Sequence, residues 1–310
     1  MTDAALPLTP AEAERRSGFL AAAVAYLIWG FLPLYLKLLG FADAREVLGQ
    51  RIVWCIPAAL VAVVLMSGGW RISLRQIGEA LRPRMLGILF ASACFIFVNW
   101  GLYVWLVLQE RVIESSLAYF LAPLVAVGVG VAFFGEKITP AQTIALVLAF
   151  IGVIVQGIAL GAPPWMALAL CATWSTYAVI RKRVNVPAAV GLLIETIAMA
   201  PIALALIYWA AQDVGLQFNT SWTHAILLAV AGPITAIPLV MFTFGARRVS
   251  FTTLGLLQFL APSLQFATGI AFGEEFTFLR GVSFALIWTG LGFFAWDVLR
   301  RGRESAKLNA

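Results

Sequence analysis

Residues 112–136 read VIESSLAYFLAPLVAVGVGVAFFGE, and residues 252–275 read TTLGLLQFLAPSLQFATGIAFGEE. Both are apolar runs long enough to cross a bilayer as a helix, about 20 residues. Both carry Phe-Leu-Ala-Pro, at Phe120–Pro123 and Phe259–Pro262, and both close on Gly-Glu, at Gly135-Glu136 and Gly273-Glu274. The offset between them is 139 residues, close to half of the 310-residue chain. Other pairs fall at similar offsets and in the same order. Trp29 and Lys37 correspond to Trp174 and Lys182, and Pro57, Ala59 and Leu60 correspond to Pro201, Ala203 and Leu204. A repeat of that length means a duplicated unit.

Apolar residues make up 62% of the chain and charged residues 12%, against about 45–50% and 25% in soluble domains. Too few polar side chains exist to coat a water-soluble globule. Ten apolar segments can be drawn, at Phe19–Leu36, Val47–Met66, Met85–Leu108, Val112–Phe134, Thr143–Leu160, Trp165–Ile180, Ala188–Trp209, Ala225–Phe244, Thr252–Phe272 and Val282–Val298. The expected fold is an all-α integral membrane protein of ten transmembrane helices. Five spans per copy is an odd number, so the second copy must enter the membrane upside down. Inverted repeats of this kind put a substrate site near the midplane.

The expected organisation is a cytoplasmic tail over 1–18, a five-helix repeat over 19–160, a second over 161–299 and a cytoplasmic tail over 300–310. With the N-terminus inside, sixteen Lys and Arg fall on the cytoplasmic side and four outside, and Arg51 lies within a span. That bias predicts a multi-pass protein of the plasma (inner) membrane with both termini cytoplasmic. The net charge of +6 comes from short basic clusters between apolar runs, so nucleic acid is not an expected partner. Cys55, Cys94 and Cys171 all sit within apolar runs and read as core thiols.

The chain resembles the drug/metabolite transporter superfamily, with two EamA-type halves, and within it the RarD subgroup. The stretches that carry the likeness are Tyr26–Gly30, Asn99-Trp100, Glu114–Pro123, Gly191–Thr196, Pro238-Leu239, Phe242-Thr243, Thr253–Gly255 with Gln258, and Phe284–Trp288 with Asp297. They span nearly the whole chain. The resemblance implies a plasma-membrane carrier whose central cavity is lined by spans one to four and six to nine, with spans five and ten peripheral. Members of the superfamily carry amino acids, nucleotide sugars, other metabolites and drugs; the subgroup is tied by name to chloramphenicol sensitivity.

Ionisable groups inside a span cost about 2.5–3.5 kcal/mol each at the bilayer centre and mark sites. Arg51 in the second span and Glu195 in the seventh correspond at the offset of 144. Arg51 could grip a carboxylate or phosphate by its planar fork; Glu195 could hold an amine or a coupling proton. Each could instead be neutralised locally, Arg51 by Glu46 or Glu114 and Glu195 by a hydroxyl or a basic residue at the inner end. The amides Asn99 and Gln258 need partners inside a span, in a cavity or on another helix. Trp29, Tyr103, Tyr119, Trp174 and Tyr177 are aromatic candidates for the cavity wall, or for helix packing. Pro123 and Pro262 each remove a helical hydrogen bond and are candidate hinges or static kinks.

Enzyme chemistry finds no support. His224 is the sole histidine, no Gly-x-Ser-x-Gly elbow accompanies it, and no Cys/His spacing suits a metal. Neither a Walker A nor a Rossmann fingerprint is present, so no nucleotide cofactor is expected. The expected function is a cofactor-free secondary transporter that moves a small metabolite or drug-like molecule by alternating access, with the lipid bilayer and that solute as its partners. The rival is a non-transporting membrane sensor or lipid-handling scaffold. Oligomeric state is not legible, because apolar surface facing lipid and facing a partner look alike in sequence.

Overall fold

The computed structural model describes residues 10–134, 138–182, 184–246, 248–249 and 257–308. These form eleven helices and, among the described residues, no strand. They are α1 (Pro10–Leu38), α2 (Ala44–Met66), α3 (Trp70–Ala80), α4 (Pro83–Leu108), α5 (Val112–Phe134), α6 (Pro140–Leu160), α7 (Trp165–Lys182), α8 (Ala188–Asp213), α9 (Trp222–Ala246), α10 (Leu260–Ala271) and α11 (Phe278–Leu308). Among the described residues, α1, α2, α4, α6, α8, α9 and α11 are long and apolar enough to cross a membrane. A shorter apolar segment, Val112–Val125, lies within α5. The chain is a multi-pass membrane protein.

The helix ends follow from local chemistry. Asp43 stands just before α2 and accepts the Arg45 N–H at 2.9 Å, supplying a partner to a first-turn donor. Thr139 and Gln142 form a reciprocal capping box at the start of α6, with Pro140 at its first position. Gly161 ends α6 in a left-handed conformation, φ 67°.

One helix was not expected. Residues 67–84 lie between the second and third apolar segments, and α3 occupies Trp70–Ala80 of them. Trp70, Leu74 and Ile77 fall on one helical face and Arg71, Arg75 and Glu79 on the opposite one, and Trp70 and Leu74 are exposed. That amphipathic pattern suits the bilayer surface and escapes a search for continuous apolar runs.

The major packing pairs join a helix from α1–α6 to one from α7–α11: α6 with α11, α2 with α8 and α9, α1 with α9 and α10, α4 with α7 and α8, and α5 with α7 and α10. Several run antiparallel. In the α6–α11 pair, Gly152 lies against Ile287 and the Ser283 carbonyl and Gly290 against the Ala145 backbone, so that a side chain at either would press on its neighbour. Ser283 Oγ donates to the Gly152 carbonyl at 2.7 Å. The α2–α8 pair sets Gly49 against Ala203 and Ile207, and Arg45 at the start of α2 pairs with Asp213 at the end of α8, 2.9 Å apart. In α5 and α10, the late Gly269 abuts the early Ile113. Between apolar helices in lipid, such close backbone approach supplies the van der Waals attraction that hydrophobic burial cannot.

Candidate substrate site between the halves

Arg51 lies two turns into α2, 5% exposed. Its Nε donates to Thr235 Oγ1 of α9 at 2.8 Å, and the guanidinium sits over the Trp100 ring of α4, 4.6 Å from the centroid. Gly232, one turn before Thr235, rests directly on the backbone of Trp54 and Cys55, and that approach brings Thr235 within reach. The local neutralisation open to Arg51 in the sequence does not occur. Glu46 accepts the Gln217 and Phe218 N–H groups at 3.0 and 2.8 Å, and Glu114 pairs with Arg111. Arg51 Nη1 is buried with no hydrogen-bond partner, as is the Tyr103 hydroxyl. Tyr35, Tyr103 and Tyr119 lie within electrostatic range of the guanidinium.

From Tyr103 a file of rings crosses three helices. Tyr103 meets Tyr119 edge-on at 5.8 Å, Tyr119 meets Trp174 at 6.1 Å, and Trp174 meets Tyr177 at 5.8 Å. The file ends at Glu195 of α8, whose Oε2 accepts from the Tyr177 hydroxyl at 3.4 Å. Glu195 is fully buried; Ser92 Oγ of α4 donates to its Oε1, and Arg181 Nε lies 3.7 Å away. Its charge is therefore met locally, unlike that of Arg51.

Six sequence candidates thus fall in one connected set: Arg51, Tyr103, Tyr119, Trp174, Tyr177 and Glu195. Others lie apart. Asn99 is 1% exposed and ties α4 to α7, donating Nδ2 to the Leu170 carbonyl at 2.9 Å and to Thr173 Oγ1 at 3.2 Å. Trp29 packs with Tyr26 and Phe242, 5.5 and 5.7 Å away. Its carbonyl accepts from Gln265 Nε2 at 3.0 Å. Gln258 is half-buried in the turn that precedes α10. Pro123 is inside α5, whereas Pro262 falls in the first turn of α10, where its missing N–H breaks no bond of that helix. Cys55 and Cys171 are buried, as expected of core thiols; Cys94 is exposed on the outer surface of α4.

The sequence reading allowed Glu195 a hydroxyl or a basic partner without naming Ser92 or Arg181, and it did not find Thr235 as the partner of Arg51. A charge inside a span implies a nearby hydroxyl or counter-charge, but not which of many it is. A cavity of about 160 Å³ opens elsewhere, among the α4–α5 and α10–α11 connections and Gln156 of α6, and touches none of the candidates. Among the described residues no His, Cys, Asp and Glu grouping could hold a metal.

The EamA-like transporter family matches residues 16–157. The chain is 41% identical to Protein RarD of Streptomyces exfoliatus, over 97% of this chain and 95% of that one. It is 39% identical to an uncharacterized transporter of Pseudomonas aeruginosa, over 95% of this chain and 98% of the relative. It is 30% identical to the chloramphenicol-sensitive protein RarD of the same species, over 94% and 97%. A solved crystal structure shares the fold at a TM-score of 0.59 and 20% identity, covering 92% of this chain and 98% of its own.

Proposed function

Since the chain belongs to the RarD subgroup of the EamA-like transporters, within the drug/metabolite transporter superfamily, we propose that it is a secondary carrier of a small metabolite or drug-like molecule. The reading is that of two inverted five-helix repeats that exchange outward- and inward-open forms around a shared site. One observation carries it. Exchanging α1 with α7, α2 with α8, α4 with α9, α5 with α10 and α6 with α11 turns the set of major packing pairs into itself. The α1–α9 pair becomes α7–α4, α1–α10 becomes α7–α5, and α2–α9 becomes α8–α4. Where equivalent helices touch, as in α2–α8, α5–α10 and α6–α11, they run antiparallel, as inversion requires. A fold built so has two mirror-related ways to part its halves.

The Arg51-to-Glu195 file supports a site at that shared interface, since it draws on α2, α4, α5, α7 and α8. The charge bias of the loops supports cytoplasmic termini and the plasma membrane. The solute's own gradient, or a proton gradient acting through Glu195, supplies the energy.

Reconstituted vesicles test the reading. Proteoliposomes are loaded with a polar-metabolite extract, washed and followed by mass spectrometry beside protein-free liposomes. Faster loss of at least one solute is expected, and identical contents in both sets would reject the carrier. An imposed pH gradient then tests coupling; an unchanged rate removes the proton from the scheme.

A further inference from the structure

An arginine keeps its charge at every physiological pH, and a charge taken out of water without a counter-ion costs several kcal/mol. Arg51 is such a group. None of the described ion pairs includes it. Its two compensations are partial. Trp100 takes one face of the guanidinium and Thr235 takes Nε, leaving Nη1 buried and unbonded. The unused edge is the fork that binds carboxylates and phosphates through parallel N–H bonds. A second unspent donor, the Tyr103 hydroxyl, lies in the same aromatic surround.

We propose that Arg51 and Tyr103 form the receptor for an oxyanion on the transported solute, a carboxylate or phosphate ester borne on a flat apolar body. The proposal rests on the carrier reading and adds the substrate's charge to it. The anion supplies what Arg51 lacks and accepts from Tyr103. The rings of Trp100, Tyr119 and Trp174 are the surface for the apolar body. Cationic solutes are repelled. Arg51, with no ion pair to break, is free to take the anion, whereas Glu195 is already held by Arg181.

The purified full chain in nanodiscs is titrated with benzoate, phenyl phosphate and the neutral analogue benzamide, with unfolding temperature and tryptophan fluorescence as readouts. Benzoate or phenyl phosphate is expected to raise the unfolding temperature with dose while benzamide leaves it in place; the tighter of the two names the oxyanion. Arg51→Gln weakens that binding by a factor of about 30 or more. Tyr103→Phe weakens it by a factor of about 3 to 10.

A further readout needs no ligand. Thr235 Oγ1 keeps its bond to the Ala231 carbonyl, 2.8 Å, when Arg51 is removed, so no hydroxyl is orphaned. A cation kept for binding is a burden on the empty fold, so Arg51→Met raises the unfolding temperature of the ligand-free protein. Equal protection by benzamide, no protection by either anion, or a lower unfolding temperature for ligand-free Arg51→Met overturns the proposal. Anion binding without solute movement in vesicles defeats the carrier and leaves the receptor standing. Solute movement with no response to either anion does the reverse.

Discussion

The guanidinium of Arg181 fills the space that a side chain on Gly191 would need. Gly191 stands one turn before Glu195 on α8, so the missing side chain is what lets Arg181 of α7 reach that carboxylate, 3.7 Å away. Gly191→Ala pushes the guanidinium out and leaves Glu195 with its two hydroxyl donors. Breaking a fully buried pair costs about 3–5 kcal/mol. This pair is long and Arg181 is slightly exposed, so about 1–3 kcal/mol is expected, read as a lower unfolding temperature. In the Gly191→Ala background, Arg181→Gln then adds little. Additive losses would dissociate the glycine from the pair.

Gly232 has the backbone of α2, not a movable side chain, where a methyl group would go. Gly232→Ala therefore separates α9 from α2 and draws Thr235 off Arg51. Overpacking of this kind costs about 1–3 kcal/mol. Thr235→Val removes the same hydrogen bond without the spreading and should unfold later than Gly232→Ala. Thermal unfolding of the two variants side by side checks the order.

The Asn99 amide bonds the Leu170 carbonyl and the Thr173 hydroxyl, so it fastens α4 to α7. Asn99→Leu should lower stability by about 0.6–2 kcal/mol, the usual range for a hydrogen bond between helices in a membrane. An unchanged unfolding temperature would return Asn99 to the cavity.

Glu274, in the α10–α11 connection, accepts the N–H groups of Val112 and Ile113 at the start of α5. Burial raises its carboxyl above the ordinary value near 4.5, while those two N–H groups, Arg280 and Lys37 oppose the rise. The folded chain thus holds the Glu274 proton to a higher pH than the unfolded chain does. Within that window the folded state binds more protons, so its stability falls as pH rises and levels off once the carboxyl is ionised. Glu274→Gln should abolish this part of the slope, and it keeps one acceptor for the two N–H groups, so it unfolds somewhat earlier than the parent at neutral pH. Glu274→Ala uncaps α5 and loses about 1 kcal/mol. Unfolding temperatures from about pH 4 to 8 provide the check.

Membrane helices were legible because lipid demands long apolar runs, and Phe120–Pro123 with Phe259–Pro262 carried the reading of a duplicated unit that is proposed above. Helix α3 was hidden because a surface helix keeps its apolar residues to one face, with polar residues between them in sequence, and so makes no continuous apolar run. Arg51 and Glu195 were legible as costly charges. Their different fates were not, because Thr235, Ser92 and Arg181 reach them across 103 to 184 residues in the two hydroxyl bonds and from a neighbouring helix in the third. Asn99 shows the same limit: an amide in a span announces a need for a partner, and only the fold reveals that Leu170 meets it.

The packing of the two halves interconverts under exchange, but the side chains at one pair of equivalent points do not: α2 carries an unpaired cation, α8 a carboxylate already bound. On the proposed carrier reading, two arrangements that would be isoenergetic in a perfect duplicate are thereby made unequal. The empty protein then rests in one of them, and an arriving ligand supplies the difference before the molecule turns over to its reflection.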